Sequence, residues 1–158
     1  MDKGHTSYTV EEATRKLEYY CSYQDRCHEE VHQKLKSLRM IPEAIDHIMA
    51  HLIQHNFLNE ERFACSFARG KWRIKQWGKK RIVLELKQRG ITKYNIDKAL
   101  KEIDEDEYIQ NFNILAEEQW EKIRESSVLK RKKKLADMLL RKGYESSLIF
   151  DKLEDIAR

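Results

Sequence analysis

An apolar pattern occurs three times in this chain, each copy about fifty residues after the one before. A period of this size is typical of repeat proteins, in which one helical or strand unit cannot bury its own apolar face and packs on its neighbour. The pattern therefore predicts function on an extended surface rather than in a deep pocket. The first copy is Val31, Leu35, Met40, Ile45, Met49 and Leu52; the second is Ile82, Leu86, Ile91, Ile96, Leu100 and Ile103; the third is Leu135, Leu139, Tyr144, Ile149, Leu153 and Ile156.

Each copy predicts two helices joined by a turn, because its apolar residues recur at helical spacing on either side of a midpoint. Gly90 and Gly143 stand at the midpoints of copies two and three, where a left-handed residue ends a helix in a Schellman motif. Copy one has Arg39 at this place, so we expect its turn to be strained by about 1–2 kcal/mol or to use another geometry.

A further helix is predicted before each pair, with Thr9, Asn59 and the acidic junction at Asp104 suited to the three helix starts. We therefore predict an all-α fold of three tandem three-helix repeats in an elongated, curved array. The predicted boundaries are residues 1–55, 56–104 and 105–158. The single proline and five glycines also argue against the many tight turns of an all-β fold.

Composition indicates a cytoplasmic protein. The chain lacks an apolar run of about eighteen residues, and its first residues are polar rather than an apolar secretory segment. Its three cysteines lack CxxC spacing, so we expect reduced thiols. We expect no membrane partner and a monomer.

Residues 57–64, Phe-Leu-Asn-Glu-Glu-Arg-Phe-Ala, carry a resemblance to a known family. Together with the glycines and the Arg-Ile…Glu-Leu…Gly-Ile helix that follow, this stretch resembles the central signature of RecX-family regulators of the RecA recombinase. Asn59 departs from the family's usual aspartate, and residues 24–27 replace its more usual arginine-rich turn. The signature positions, which we expect to be mainly structural, are Leu58, Asn59, Arg62, Phe63, Ala64, Gly78, Ile82, Leu86 and Gly90.

The resemblance implies a protein without catalytic activity that binds the RecA filament on single-stranded DNA. It implies inhibition of filament growth, ATP hydrolysis and strand exchange. The expected partners are the RecA filament and DNA, single-stranded or double-stranded.

Charge is concentrated in the middle of the chain, although the net charge is only +4. Between residues 69 and 93 ten cations accompany one acid, Glu85, and two tryptophans, Trp72 and Trp77. We expect Gly78 to let the backbone approach a partner closely. The predicted contacts are the middle basic cluster, Arg69, Lys71, Arg73, Lys75, Lys79, Lys80, Arg81, Lys87 and Arg89, and the C-terminal basic cluster, Lys130, Arg131, Lys132, Lys133 and Lys134.

Such clusters suit a polyanion or an acidic protein groove. Two alternatives stay open at this point. The cations could simply be solvated helix faces with the tryptophans in the core. The chain could also be a sequence-independent DNA-binding module that acts by competing for DNA, since a helix pair with a glycine turn imitates a helix-turn-helix.

Metal and catalytic chemistry have weak support. His47, His51 and His55 lie at i, i+4 and i+8, and His28 and His32 form another pair, but HExxH and CxxC motifs are missing. No phosphate-binding glycine loop is present, and nothing marks a base beside Cys65. We therefore expect no metal, no cofactor and no enzymatic activity.

Overall fold

The computed structural model describes residues 7–157 and contains nine α-helices and no strand within that range. The predicted all-α fold is therefore confirmed. The polar first residues, on which part of the localisation argument depends, lie outside the described range. The helices are α1 (Val10–Tyr23), α2 (His28–Ser37), α3 (Pro42–Gln54), α4 (Glu60–Arg73), α5 (Lys79–Gln88), α6 (Lys93–Leu100), α7 (Glu105–Lys122), α8 (Val128–Lys142) and α9 (Ser146–Ile156).

The chain divides into two compact units. Among the described residues, the first unit comprises those up to Phe63 together with Arg89–Ile91. The second unit comprises Ala64–Gln88 and the residues from Thr92 to the end of the described range. The boundaries of the three predicted repeats, and their arrangement in a curved array, stay predictions.

In the first unit α1, α2 and α3 pack on one another. Their apolar stripes form a core of fully buried side chains, among them Leu17, Val31, Leu35, Ile48 and Leu52. Local chemistry sets where the first helix begins. The Thr9 hydroxyl accepts from the Glu12 N–H at 3.0 Å and the Glu12 carboxylate accepts from the Thr9 N–H at 3.2 Å, which is a complete capping box.

The signature residue Arg62 supports the loop before α4. Its Nε donates to the Asp25 carboxylate at 2.6 Å, and its Nη2 donates to the carbonyls of Asn56 and Phe57. Asn59 caps α4 as predicted, because its side-chain oxygen accepts from the Arg62 N–H at 3.0 Å. These two signature residues therefore act within the fold of the first unit.

All three predicted turns adopt the left-handed conformation. Gly90 has φ 74° and Gly143 has φ 97°, while Arg39 has φ 62°. The closing 6→1 hydrogen bond is present in the first turn, from Met40 N–H to the Leu35 carbonyl at 3.2 Å, as it is after Gly143. The first repeat therefore uses the same turn despite its arginine, and the strain expected for a side chain at positive φ applies there.

In the second unit α5 packs on α6, and α7, α8 and α9 pack on one another. Trp72, Tyr108, Phe112 and Tyr144 are the fully buried aromatic side chains of its core. Of the eighteen residues in the repeated apolar pattern, four are half-buried and the others are buried. The half-buried residues are Met40, Met49, Leu100 and Ile156.

Candidate partner-binding surface

The junction between α4 and α5 is fixed by close backbone contact with the turn between α8 and α9. Gly78 N–H donates to the Lys142 carbonyl at 2.7 Å, and Lys80 N–H donates to the Gly143 carbonyl at 3.0 Å. A Cβ at Gly78 would lie 2.3 Å from backbone atoms of Gly143. The space that we expected a partner to approach is occupied by the protein's own backbone, so that expectation for Gly78 is wrong.

Two buried tyrosines anchor the same junction. The Tyr108 hydroxyl accepts from Lys79 N–H at 3.0 Å and donates to the Glu145 carboxylate at 3.0 Å, while the Tyr144 hydroxyl donates to the Gln76 carbonyl at 2.8 Å. Burial raises the pKa of Tyr144 to about 12 and also raises the pKa of Tyr108, with the nearby Glu145 carboxylate adding to both effects. Both hydroxyls therefore stay protonated at neutral pH, so Tyr108 and Tyr144 can keep donating.

Four members of the middle basic cluster have exposed side chains. Arg73 is the last residue of α4, Lys75 lies in the loop after it, and Lys80 and Lys87 belong to α5. The backbone is held at two of them, since the Lys75 carbonyl accepts from Lys142 Nζ at 2.9 Å and the Lys80 N–H donates to the Gly143 carbonyl. These four cations form the accessible part of the cluster.

The other members of the cluster are half-buried, and several have partners within the second unit. Arg69 lies 3.3 Å from the Glu102 carboxylate, and Lys79 pairs with Glu105. Arg81 lies with its guanidinium 4.1 Å from the centre of the Trp77 ring and donates to a backbone carbonyl at 3.3 Å. The positive field is therefore weaker than the local sequence indicates, because acids that follow the cluster in sequence neutralise part of it.

The interleaved tryptophans have different environments. Trp72 is buried in the core, as the alternative of solvated cations with core tryptophans predicts for this residue. Trp77 is half-buried, and its ring contacts two cations, with Lys71 Nζ at 5.0 Å and the Arg81 guanidinium carbon at 4.1 Å from the ring centre. Trp77 therefore helps to hold two cations in fixed positions.

The C-terminal basic cluster is also partly structural. Arg131 donates from Nε to the Trp120 carbonyl at 3.0 Å and covers the Trp120 ring at 4.0 Å. Lys134 pairs with Glu125 at 2.7 Å, and Lys133 lies 4.0 Å from Asp137. Lys130 is exposed and Lys132 is half-buried.

The cluster flanks an apolar groove of about 620 Å³ between α8 and α9 that sequence reasoning missed. Leu129 and Phe150 are its most exposed apolar side chains. The helical spacing from Leu129 to Ala136 was the available signal, but the lysines between them obscured it. The lining residues are Leu129, Lys130, Lys132, Lys133, Ala136, Phe150, Leu153 and Glu154.

Of the candidate metal-binding histidines, His51 and His55 contact other side chains. His51 Nε2 lies 2.9 Å from the Glu18 carboxylate, and the His51 and His55 rings lie 4.5 Å apart. Within residues 7–157 no group of three or more His, Cys, Asp or Glu side chains is placed to hold a metal ion. In the same part of the chain, no helix combines the length and apolarity that crossing a membrane requires.

These features define a helical protein that presents cations on rigidly held helix junctions. Two family models match the chain: "RecX, second three-helix domain" over residues 59–100 and "RecX, third three-helix domain" over residues 105–153. Together they cover more than half of the sequence. The chain belongs to the RecX family of regulatory proteins, as the signature indicated.

Individual relatives agree with this assignment. Regulatory protein RecX from Bacillus cytotoxicus is 28% identical over 137 residues, which is 87% of this chain and 51% of the relative, and the Bacillus cereus protein gives the same values. The crystal structure of RecX from Lactobacillus salivarius matches with a TM-score of 0.80 and 26% identity, covering 94% of this chain and 96% of that one. The chain spans about half the length of the curated relatives it matches.

Proposed function

We propose that this chain binds the RecA filament on single-stranded DNA and inhibits its growth, its ATPase activity and strand exchange. Membership of a family whose relatives are named regulatory proteins supports a regulatory role. The observation that carries the proposal is a set of four exposed cations, which we call the junction cations. Arg73, Lys75 and Lys80 lie at the immobilised α4–α5 junction, and Lys87 lies further along, in the last turn of α5.

Rigidity matters because exposed ion pairs are individually weak. Each pair contributes only about 0.2–1 kcal/mol to binding, because the entropy lost when flexible side chains and backbone become ordered offsets part of the attraction. A backbone already fixed by Gly78, Tyr108 and Tyr144 removes the backbone part of that cost. Several weak contacts can then add to a useful affinity.

The α8–α9 groove supports a protein partner over naked DNA. Its walls combine the aliphatic side chains of Leu129, Ala136 and Leu153 with lysines. Aliphatic side chains find no complement in a phosphate backbone and offer no flat ring on which a base could stack. An acidic protein surface with apolar residues would complement both kinds of side chain. This favours a filament regulator over a module that only competes for DNA.

The test compares two concentrations of the full chain. The first halves the DNA-dependent ATPase of homologous RecA, and the second half-saturates the same single-stranded DNA in the absence of RecA. A filament regulator inhibits at a concentration at least about tenfold below the one needed to occupy the DNA. If inhibition begins only at concentrations that saturate the DNA, the chain is instead a DNA-binding module that competes with RecA for DNA.

A salt titration adds an independent readout. Binding that uses phosphates of a single strand weakens with a slope of about 0.7 in log affinity against log salt for each phosphate contacted. We expect a smaller slope for binding to preassembled filaments than for binding to naked single strands.

A further inference from the structure

A second charged surface lies on the first unit, away from both basic clusters in sequence. A cavity of about 310 Å³ is lined by three tyrosines and three cations. This volume is at the lower end of the usual range for ligand sites, about 300–1,000 Å³. The lining residues, which we call the tyrosine face, are Lys16, Tyr19, Tyr20, Tyr23, Arg26 and Lys34.

The central ring of this face is held rigidly. Arg26 stacks on Tyr20 with its guanidinium carbon 3.7 Å from the ring centre, and its Nε donates to the Tyr20 carbonyl at 3.0 Å. Glu30 holds the other end of the guanidinium at 3.7 Å, and Lys34 Nζ lies 5.7 Å from the Tyr20 ring centre. Tyr20 and its cations therefore form a preorganised base for the cavity.

Two further rings project into solvent. Tyr19 and Tyr23 are 72% and 73% exposed, and their i, i+4 spacing places them on one side of α1. Lys16 lies one turn earlier on the same helix and is also exposed. Paired exposed rings beside cations differ from the single exposed apolar side chains that are ordinary on protein surfaces.

We propose that the tyrosine face binds single-stranded nucleic acid, with bases stacked on Tyr19 and Tyr23 and phosphates paired with Lys16 and Lys34. Aromatic side chains in a positively charged groove are the usual means of binding single strands, because every base offers a flat face for stacking. The cavity lining contains no aliphatic side chain, so it lacks the apolar wall that a protein anchor residue would need. Stacking reads no base edges, and the site should show little sequence preference.

This inference goes beyond the proposed function, since it concerns free single strands and the first unit. It requires neither RecA nor the exposed cations of the α4–α5 junction. Either proposal can fail while the other stands.

The experiment uses fluorescence anisotropy of a labelled oligothymidine and the full chain at fixed salt. The double variant Tyr19→Ala, Tyr23→Ala should bind at least about 30-fold more weakly, since stacking contributes at least about 1 kcal/mol for each base. The matched control is Tyr94→Ala, because Tyr94 is also a 65% exposed tyrosine with a lysine, Lys98, beside its ring. This control should bind as the wild type does.

An abasic strand of equal length separates stacking from charge, because it keeps the phosphates and lacks the bases. The wild-type chain should bind it more weakly than oligothymidine, and the double alanine variant should bind both strands equally. The proposal is overturned if the wild type binds both strands alike or if the double variant keeps wild-type affinity for oligothymidine. Unchanged DNA binding with weakened binding to RecA filaments would assign the face to a protein partner, and would also overturn it.

A conservative variant guards against misfolding. Tyr19→Phe with Tyr23→Phe keeps both rings and should keep the affinity within about twofold. Far-UV circular dichroism of each variant checks that the helices are intact.

Discussion

Replacement of Gly78 by alanine should destabilise the second unit strongly. The new Cβ would lie 2.3 Å from the carbonyl carbon and oxygen of Gly143 and 2.4 Å from the Tyr144 nitrogen. These atoms are backbone, so no side-chain rotation relieves the overlap. The α4–α5 junction and the α8–α9 turn must therefore move apart.

The structure sets the magnitude of this effect. Separation breaks or lengthens two backbone hydrogen bonds, from Gly78 to Lys142 and from Lys80 to Gly143, which contribute about 0.5–1.5 kcal/mol each. Forcing packed groups apart costs about 1–3 kcal/mol more. We expect the free energy of unfolding to fall by about 2–6 kcal/mol.

Gly70 provides a matched control with the opposite expected sign. It lies inside α4, and a Cβ there meets nothing within 4 Å. The change Gly70→Ala should stabilise the second unit by about 0.5–1 kcal/mol, because alanine loses less backbone freedom than glycine on entering a helix. The same chemical change should therefore act in opposite directions eight residues apart.

Tryptophan fluorescence in urea is the appropriate assay. All three tryptophans of the chain, Trp72, Trp77 and Trp120, belong to the second unit, so the signal reports on that unit. The unfolding midpoint should shift down for Gly78→Ala and up for Gly70→Ala at an unchanged slope. A Gly78→Ala variant that unfolds at the wild-type midpoint would refute the close backbone packing described for this junction.

Two further predictions follow from buried titratable groups. Burial raises the pKa values of the Cys21 and Cys27 thiols from 9.0 to about 11, which lowers the thiolate fraction at pH 8 about a hundredfold. In a Cys65→Ser variant, the native protein should therefore react with a thiol reagent at least about a hundredfold more slowly than the urea-unfolded protein. Equal reaction rates would contradict the burial of these two thiols. Because the pKa values of Tyr108 and Tyr144 are raised on folding, their contribution to stability is complete below pH 10 and is lost as pH rises through the folded values, which for Tyr144 is about 12. The free energy of unfolding followed by tryptophan fluorescence should fall between pH 10 and pH 12, and less steeply in Tyr144→Phe; a flat profile in the wild type would exclude this linkage.

Local signals predicted much of the fold. Thr9, Asn59 and Asp104 cap helices because their side-chain oxygens reach N–H groups three residues later, which involves no distant contact. Gly143 ends α8 for an equally local reason, its positive φ. The repeated apolar spacing then indicated which helix faces are buried.

The candidate site was less predictable because it depends on contacts between distant residues. The Gly78 contact joins positions more than sixty residues apart, and the acids that neutralise Arg69 and Lys79 come from later in the chain. Counting charges over a short window of sequence therefore overestimated the accessible cations. The structure separates those that face solvent from those that hold the fold together.

The tyrosine face shows a different limit of sequence reasoning. Tyr19, Tyr20 and Tyr23 are visible in the sequence at helical spacing, but aromatic residues on an amphipathic helix are usually core. Two features of the structure show that these tyrosines form a surface rather than part of the core. The rings of Tyr19 and Tyr23 are exposed, and Arg26 stacks on the ring of Tyr20.

The central claim, that the exposed cations at the α4–α5 junction and along α5 bind the RecA filament, is tested most directly by charge reversal. The variant Lys75→Glu, Lys80→Glu, Lys87→Glu changes only exposed side chains, whereas reversal at Lys79 or Arg81 would also break contacts within the fold. The control reverses an equal number of exposed cations elsewhere in the second unit, namely Lys101, Lys122 and Arg124.

The measurement is the concentration of each variant chain that halves the DNA-dependent ATPase of homologous RecA. Because each exposed pair contributes about 0.2–1 kcal/mol, losing three pairs costs about 0.6–3 kcal/mol. The triple reversal should therefore raise this concentration by about 3-fold to 150-fold, and the control should change it less than about twofold. Equal inhibition by the wild type and the junction variant, or equal loss in both triple variants, would contradict the assignment of this surface to the filament.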